Sequence, residues 1–472
     1  MSVINTNVQS LIAQNALRQN NAAEATSLQR LSTGLQINTG ADNPSGLIAS
    51  ESLDQETTGL STAISNATQA TNVVATADGG LGEVSNLLTQ LQGLLGQAAN
   101  SGGLSSTELA ADQQQVDSVL NTINKIAGNT TFDGTQLLNG NLAYATSSVS
   151  TSTLENLQIN TATVPSGGTQ AVTVKVVGSA KTAELTSTST SVSGGAVTLS
   201  IAGAEGSQQL TFASGTATSA IAAAVNNVSA QTGVSATVAS SKLQLNSQDY
   251  GSAAFVSLSV SGTGTFTVGS TRATGTDAKV QVNGAQADVR GLAVTYRAST
   301  LDVQFNLASS ANVTTTDSTF NITGGGATFQ IGDKVNAAGL VSIGIGDVST
   351  ASLGDSTDGY LNTLGTGGVN SLTSTNLATA QKIVTQSISQ VSTLRGTLGA
   401  FTSITLGSQI ASLNVAFENA SSANSAIVDT DFAAETANLT RDQILAQSAT
   451  TVLAQANAVP DEALTLLSHV GQ

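Results

Sequence analysis

Apolar positions recur every three or four residues near the start of the chain. They are Leu60, Ile64, Ala67, Thr71 and Val74, then Val84, Leu87, Leu91, Leu94 and Ala98. The stripe resumes with Val116, Leu120, Ile123 and Ala127. This spacing predicts amphipathic helices. Near the other end Leu406, Ile410, Leu413, Phe417, Ala420, Asn424 and Ile427 alternate steps of four and three. That is a coiled-coil seam, and its helix would be about 33 Å long. The middle reads differently. AVTVKVV (171–177), AVTLSIA (196–202), KLQLN (242–246), FVSLSV (255–260), KVQVNG (279–284) and LDVQFNLA (301–308) alternate with period two, as strands do. One helical interruption, SAIAAAVNNVSAQTG (219–233), aligns Ile221, Val225 and Val228 on one face.

A β-rich middle between helical ends implies that the two ends pack together, because short isolated helices are marginal in water. Boundaries are legible. Asn43-Pro44 reads as an N-cap followed by proline at the first helical position. Gly102-Gly103 interrupts the first helical stretch before another opens near Thr107. Asp133-Gly134 and Asn139-Gly140 suit tight turns, so a small hairpin is expected at 131–140. Pro460 is expected to kink or stop the last helix. The fold class expected is mainly α at both termini, with a β-rich central insert: an α+β multidomain chain.

Charge narrows the function. The 472 residues carry a formal net charge of -16, with only 9% charged and 3% aromatic residues and no Trp. An acidic chain without a basic, stacking surface is a poor nucleic-acid binder. Cys is absent and His469 is the single histidine, so disulfides, thiol catalysis and Cys/His metal sites are excluded. No cofactor is implied. Nothing approaches a membrane span of about 18 apolar residues. MSVINTNVQSLIAQNALRQN has neither a basic start nor an apolar core, so it is not expected to be a secretory signal peptide. An exported chain of this kind leaves by a route that does not read one.

The remaining notable residues read as structural. Asp429, Asp431 and Glu435 lack the EF-hand pattern, with Ala433 and Ala434 where an oxygen ligand and glycine belong, and suit a helix start. Gly324-Gly325-Gly326 and Gly344-x-Gly346 lack a nucleotide-binding frame and read as turns. Ser and Thr of the middle region read as a solvated β surface.

Three long segments are specific. INTNVQSLIAQNAL (4–17), RLSTGLQINTGADNPSGLIASESL (30–53) and DTDFAAETANLTRDQILAQSATTVLAQANAVPDEALTLL (429–467) closely resemble bacterial flagellin. The resemblance spans about residues 1–142 and 372–472. TSAIAAAVNNVSAQTGVSATV (218–238), LQLNSQDYGSAAFVSLSV (243–260) and ITGGGATFQIG (322–332) resemble the hook IN motif of longer flagellins, around 200–332. The resemblance implies an inner helical domain of 1–42 with 430–472. It also implies a helical core of 43–142 with 372–429, and a variable outer region of 143–371.

It further implies a secreted, extracellular, non-enzymatic subunit that polymerises into the helical filament of the bacterial flagellum for swimming motility. Implied partners are further copies of the chain, an export chaperone at the C-terminus, and hook-associated and cap proteins. Two alternatives stay open: a hook–filament junction protein, and a filament whose central insert is enzymatic through carboxylates alone. Self-assembly residues are expected along the seam Leu406, Ile410, Leu413, Phe417, Ala420 and Ile427, with Arg441 in an ion pair between subunits. In members that activate the animal innate receptor for flagellin, one helix carries Leu-x-Arg-x-Arg-Glu-Leu and a later Gln. Here that stretch is Leu88, Gln90, Gln92, Gly93 and Leu94, then Gln97, so the charged anchors are replaced.

Overall fold

The computed structural model describes residues 6–100, 103, 105–164, 168–298, 300–314, 317–374 and 376–470. Gly102, part of the expected helix break, lies outside the described residues, and Gly103 sits in a turn. Among the described residues eight α-helices form: α1 (Val8–Thr33), α2 (Pro44–Ala98), α3 (Ser106–Asn129), α4 (Thr218–Asn227), the short α5 (Ser229–Thr232), α6 (Leu377–Ala400), α7 (Gly407–Val428) and α8 (Phe432–Val470). Two compact units result. The first comprises residues 1–65, 332–334 and 409–472, and the second 66–331 and 335–408.

In the first unit, α1 ends at Gly34, whose φ of 76° permits the left-handed turn that returns its amide to Arg30 O. The chain then meets the end of α7. Gln36 N donates to Val428 O and Thr430 N to Gly34 O, closing a small antiparallel bridge between Leu35 and Asp429. Asn43 Oδ1 accepts from Gly46 N at 3.0 Å, so Asn43-Pro44 opens α2 as its sequence predicts. Just before it, the Asp42 carboxylate collects the Thr39 amide, the Thr39 hydroxyl and the Asn38 amide. The first of these, with the others, holds it below the ordinary carboxylate range.

In the second unit the buried stripe of α2 is Ala67, Ala70, Val74, Ala77, Leu81, Val84, Leu88, Leu91, Leu95 and Ala98, in steps of three and four. Leu87 and Leu94, expected on that stripe, are half-buried one row away. The buried row has the unbroken heptad spacing, and its alanines made it less conspicuous than the leucines beside it. Val116, Leu120, Ile123 and Ala127 of α3 are all buried, and Ser105 with Glu108 closes a capping box at its start. Asp78 of α2 pairs with Arg395 of α6 at 2.9 Å. Along α6, Val384, Val391 and Leu398 are buried seven apart, but the next such residue, Leu406, follows after eight. Phe401–Leu406 is π-helical and takes up the extra residue.

Two β lobes complete this unit. In one, a five-stranded antiparallel sheet runs in the order 285–286, 279–282, 170–178, 317–325, 144–147, and a four-stranded sheet runs 288–290, 293–298, 301–307, 154–162. Val172, Val174, Val280 and Phe320 of the first sheet share one core with Leu154, Val294, Val303 and Phe305 of the second. The other lobe has sheets ordered 182–186, 242–250, 234–239 and 272–274, 255–262, 197–202, 207–212. Ile221, Ala222 and Val225 of α4 fill its core. The expected hairpin is present at 131–136, with Asp133 and Gly134 both at positive φ.

Candidate assembly surface

α1 and α8 pack together within the first unit. Their contact faces are heptads of mostly small or polar residues. On α1 the buried and half-buried positions are Ser10, Ala13, Leu17, Asn20, Glu24, Ser27, Arg30 and Leu31. On α8, up to Pro460, they are Glu435, Asn438, Leu439, Asp442, Ala446, Ala449, Leu453, Ala456 and Pro460. Small side chains let the helices approach closely, yet each buries far less apolar area than the leucine or isoleucine of an ordinary seam. Polar contacts fix the pair instead. Arg30 Nη1 lies 3.8 Å from Glu435 Oε2, Asn7 Nδ2 donates to Ala456 O at 2.6 Å, and Ser10 Oγ donates to Asn457 Oδ1 at 2.8 Å.

Most of the large apolar side chains of this pair point elsewhere. Val8, Leu11 and Ile12 of α1 stand exposed, as do Ile444, Leu445, Val452 and Val459 of α8. Leu445, Val452 and Val459 repeat every seven residues and flank the seam that faces α1. Ile12 is 64% exposed and Ile444 61%. Apolar side chains left exposed along one helix face make a candidate interaction surface. Pro460 does not stop α8, which continues to Val470, because the carbonyl it leaves without an intrahelical donor is that of Ala456, which Asn7 satisfies.

Of the three acids expected at a helix start, Asp429 instead bridges to Leu35 and its Oδ2 accepts from Ser425 Oγ of α7, while Asp431 and Glu435 lie at the start of α8. Asp431 Oδ1 accepts from Ala433 N and Ala434 N, and Glu435 lies in the first turn. Arg441 Nε lies 3.5 Å from Asp442 Oδ1, and the arginine side chain is 65% exposed. Along the 406–427 seam, Leu406 is fully buried in the second unit. In the first unit Leu413 and Ala420 join Leu60 and Ala63 in one cluster, with Ala416 against it. Ile410 and Ile427 are half-buried, Asn424 Nδ2 donates to Asp54 Oδ1, and Phe417 is exposed. Leu88 is fully buried, Leu94 half-buried, and Gln90, Gln92, Gly93 and Gln97 are exposed. His469 is exposed, with Nδ1 3.2 Å from Thr465 O. Among the described residues no group of three or more acidic, His or Cys side chains is placed to hold a metal ion. No described helix is long and apolar enough to cross a membrane.

The α1–α8 seam is absent from the sequence reading, because Ser, Ala, Asn and acids hold positions that a search for large apolar residues passes over. The detectable signal is the spacing of Glu435, Asp442, Ala449 and Ala456, seven apart.

The chain matches the family profile of the bacterial flagellin N-terminal helical region over residues 4–143 and that of the C-terminal helical region over 381–467. It matches the flagellin hook IN motif over 198–249. It is 29% identical to a flagellin of Salmonella choleraesuis (strain SC-B67), covering 98% of this chain and 99% of that one. The B-type flagellin of Pseudomonas aeruginosa gives the same identity and coverage. The polar flagellin B/D of Vibrio parahaemolyticus is 39% identical over 137 residues, 29% of this chain and 36% of that one. The chain belongs to the bacterial flagellins, the exported structural subunits of the extracellular flagellar filament that drives swimming.

Proposed function

We propose that the α1–α8 pair is the element through which this subunit polymerises, and that the chain is a building block without enzymatic activity. The observation that carries this reading is the mismatch between the two faces of the pair. Its internal seam is mostly small and polar, with Leu17, Leu31, Leu439 and Leu453 only half-buried, while Leu445, Val452, Val459, Ile444 and Ile12 remain exposed. Full burial of each such side chain is worth about 1.5–3 kcal/mol, so covering this stripe favours association of neighbouring copies. A filament requires this contact to be head-to-tail, so that it repeats along a helix rather than closing.

In this account residues 1–42 with 430–472 form the inner layer, 43–142 with 372–429 the helical core, and 143–371 the outer region. Phe417, exposed on the 406–427 seam, and Arg441 add contacts between subunits, whereas Leu406, Leu413 and Ala420 of that seam are buried within the chain. Before export the same α8 stripe suits the groove of a chaperone, which binds an amphipathic helix by its apolar face. Hook-associated and cap proteins would meet the copies at the two filament ends. Deleting residues 432–472 removes α8, and seeded polymerisation should then fail while the β lobes keep their thermal transition. Filaments of ordinary length from that truncation would overturn the proposal.

A further inference from the structure

We infer that Asn7 and Pro460 act together as a register lock that positions the terminal helix pair for assembly. The inference rests on polymerisation through this pair. The seam carries Leu17, Leu31, Leu439 and Leu453 as its large apolar residues, all only half-buried and the rest small or polar, so it specifies register weakly. Pro460 supplies what the seam lacks. It has no amide proton, so the carbonyl four residues earlier, that of Ala456, is left without its intrahelical donor in the middle of α8. A buried carbonyl without a partner is costly. Asn7 meets this need at one register only: its Nδ2 donates to Ala456 O at 2.6 Å while its Oδ1 accepts from Ser10 N at 3.0 Å, capping α1. One side chain thus starts α1 and fixes where α8 lies against it. Ser10 Oγ, donating to Asn457 Oδ1, seats the same turn. The two roles of Asn7 also fix its amide orientation, since only Oδ1 can accept the Ser10 amide and only Nδ2 can donate to a carbonyl.

Asn7→Ser separates the roles. Serine caps a helix as well as asparagine does, but is too short to reach Ala456 O. Pro460→Ala restores an amide at position 460 and returns the Ala456 carbonyl to its own helix. The test is a double-mutant cycle in the full-length chain. It is read as the critical concentration for growth on sheared seeds of the same protein, and as the urea-unfolding constant of the helix pair followed by far-ultraviolet circular dichroism. Asn7→Ser should raise the critical concentration about tenfold when Pro460 is present. In the Pro460→Ala background the same change should cost less than about twofold. The unfolding constant should show the same coupling. No effect of Asn7→Ser, or an equal effect in both backgrounds, would overturn the lock, because a simple cap predicts either result. If the wild-type chain gave no filaments, the assembly reading would fail, while the unfolding cycle would still decide the lock.

Discussion

Asp277 illustrates how single residues hold this chain. Its Oδ1 accepts from Gly291 N at 2.7 Å and Ser252 N at 2.9 Å, and its Oδ2 from Ser252 Oγ at 2.6 Å. Three loops meet there, and a Cβ on Gly251 would fall 2.5 Å from Gly291 Cα, so backbone approaches backbone. The Ser252 hydroxyl, then the Gly291 and Ser252 amides, hold the carboxyl below its ordinary 3.8. A lowered folded-state pKa contributes stability that is complete above 3.8 and lost as the pH falls through the lowered value. Asp277→Ala should therefore destabilise the β lobes by about 1 kcal/mol at neutral pH. It should do so much less below the folded-state value, as calorimetry at pH 7 and in acid would record. Gln90, Gln92 and Gly93 pose a second question at this scale. All three are exposed, and a side chain on Gly93 would meet nothing within 4 Å. Arginine anchors at interfaces are typically worth about 2 kcal/mol or more, above a tenfold change in affinity. This subunit should activate the innate receptor weakly, and Gln90→Arg with Gln92→Arg and Gly93→Glu should restore signalling in a reporter-cell dose response. Strong signalling by the wild type, or no gain from the folded triple variant, would count against it.

Among the elements, those with large apolar residues at regular spacing were legible. The six alternating segments are all strands, α4 lies where Ile221 and Val225 align, and the 131–136 hairpin turns at Asp133-Gly134. Strands 154–162 and 207–212 were not read, because LENLQINTA and SQQLTF carry Asn, Gln and Glu among their apolar positions. The strand at 154–162 is also irregular, with shifts in its register against 301–307. The π-helical turn was hidden for another reason: the 406–427 seam is regular by itself, and its one-residue offset appears only beside the α6 stripe. Of the candidate surface, the helices were legible but their pairing was not, since Ser, Ala, Asn and acids separate the seam's four leucines and leave no continuous apolar stripe. The β lobes depart from the helices and return at one place. Ile345 N donates to Leu142 O at 2.9 Å, whereas the following segment is tied to α3 and α6 through Asn124 with Thr350, Gln113 with Leu372, and Gln390 with Gly354. Replacing residues 144–343 with a short Gly/Ser linker should thus leave the helices folded and filament growth intact, as electron microscopy of seeded samples would show. Chain ends already adjacent make such a change tolerable.

At the scale of the whole molecule, the chain invests its strongest apolar cores in the β lobes and in the α2, α3 and α6 stripes. It leaves its terminal helices with exposed apolar residues that a second copy can cover. Long amphipathic ends with weak internal seams gain order on assembly, when packing offsets the entropy lost. The free subunit should accordingly lose α1 and α8 first to limited proteolysis, and incorporation into filaments should protect both. The most direct test of the account replaces Leu445, Val452 and Val459 together by serine and measures seeded polymerisation by sedimentation and electron microscopy. These side chains make little of the α1–α8 seam, so the account predicts a soluble variant with an unchanged β-lobe transition and a critical concentration raised at least about a hundredfold, a loss of two tenfold steps of 1.4 kcal/mol. Growth of the triple variant at the wild-type critical concentration would contradict it.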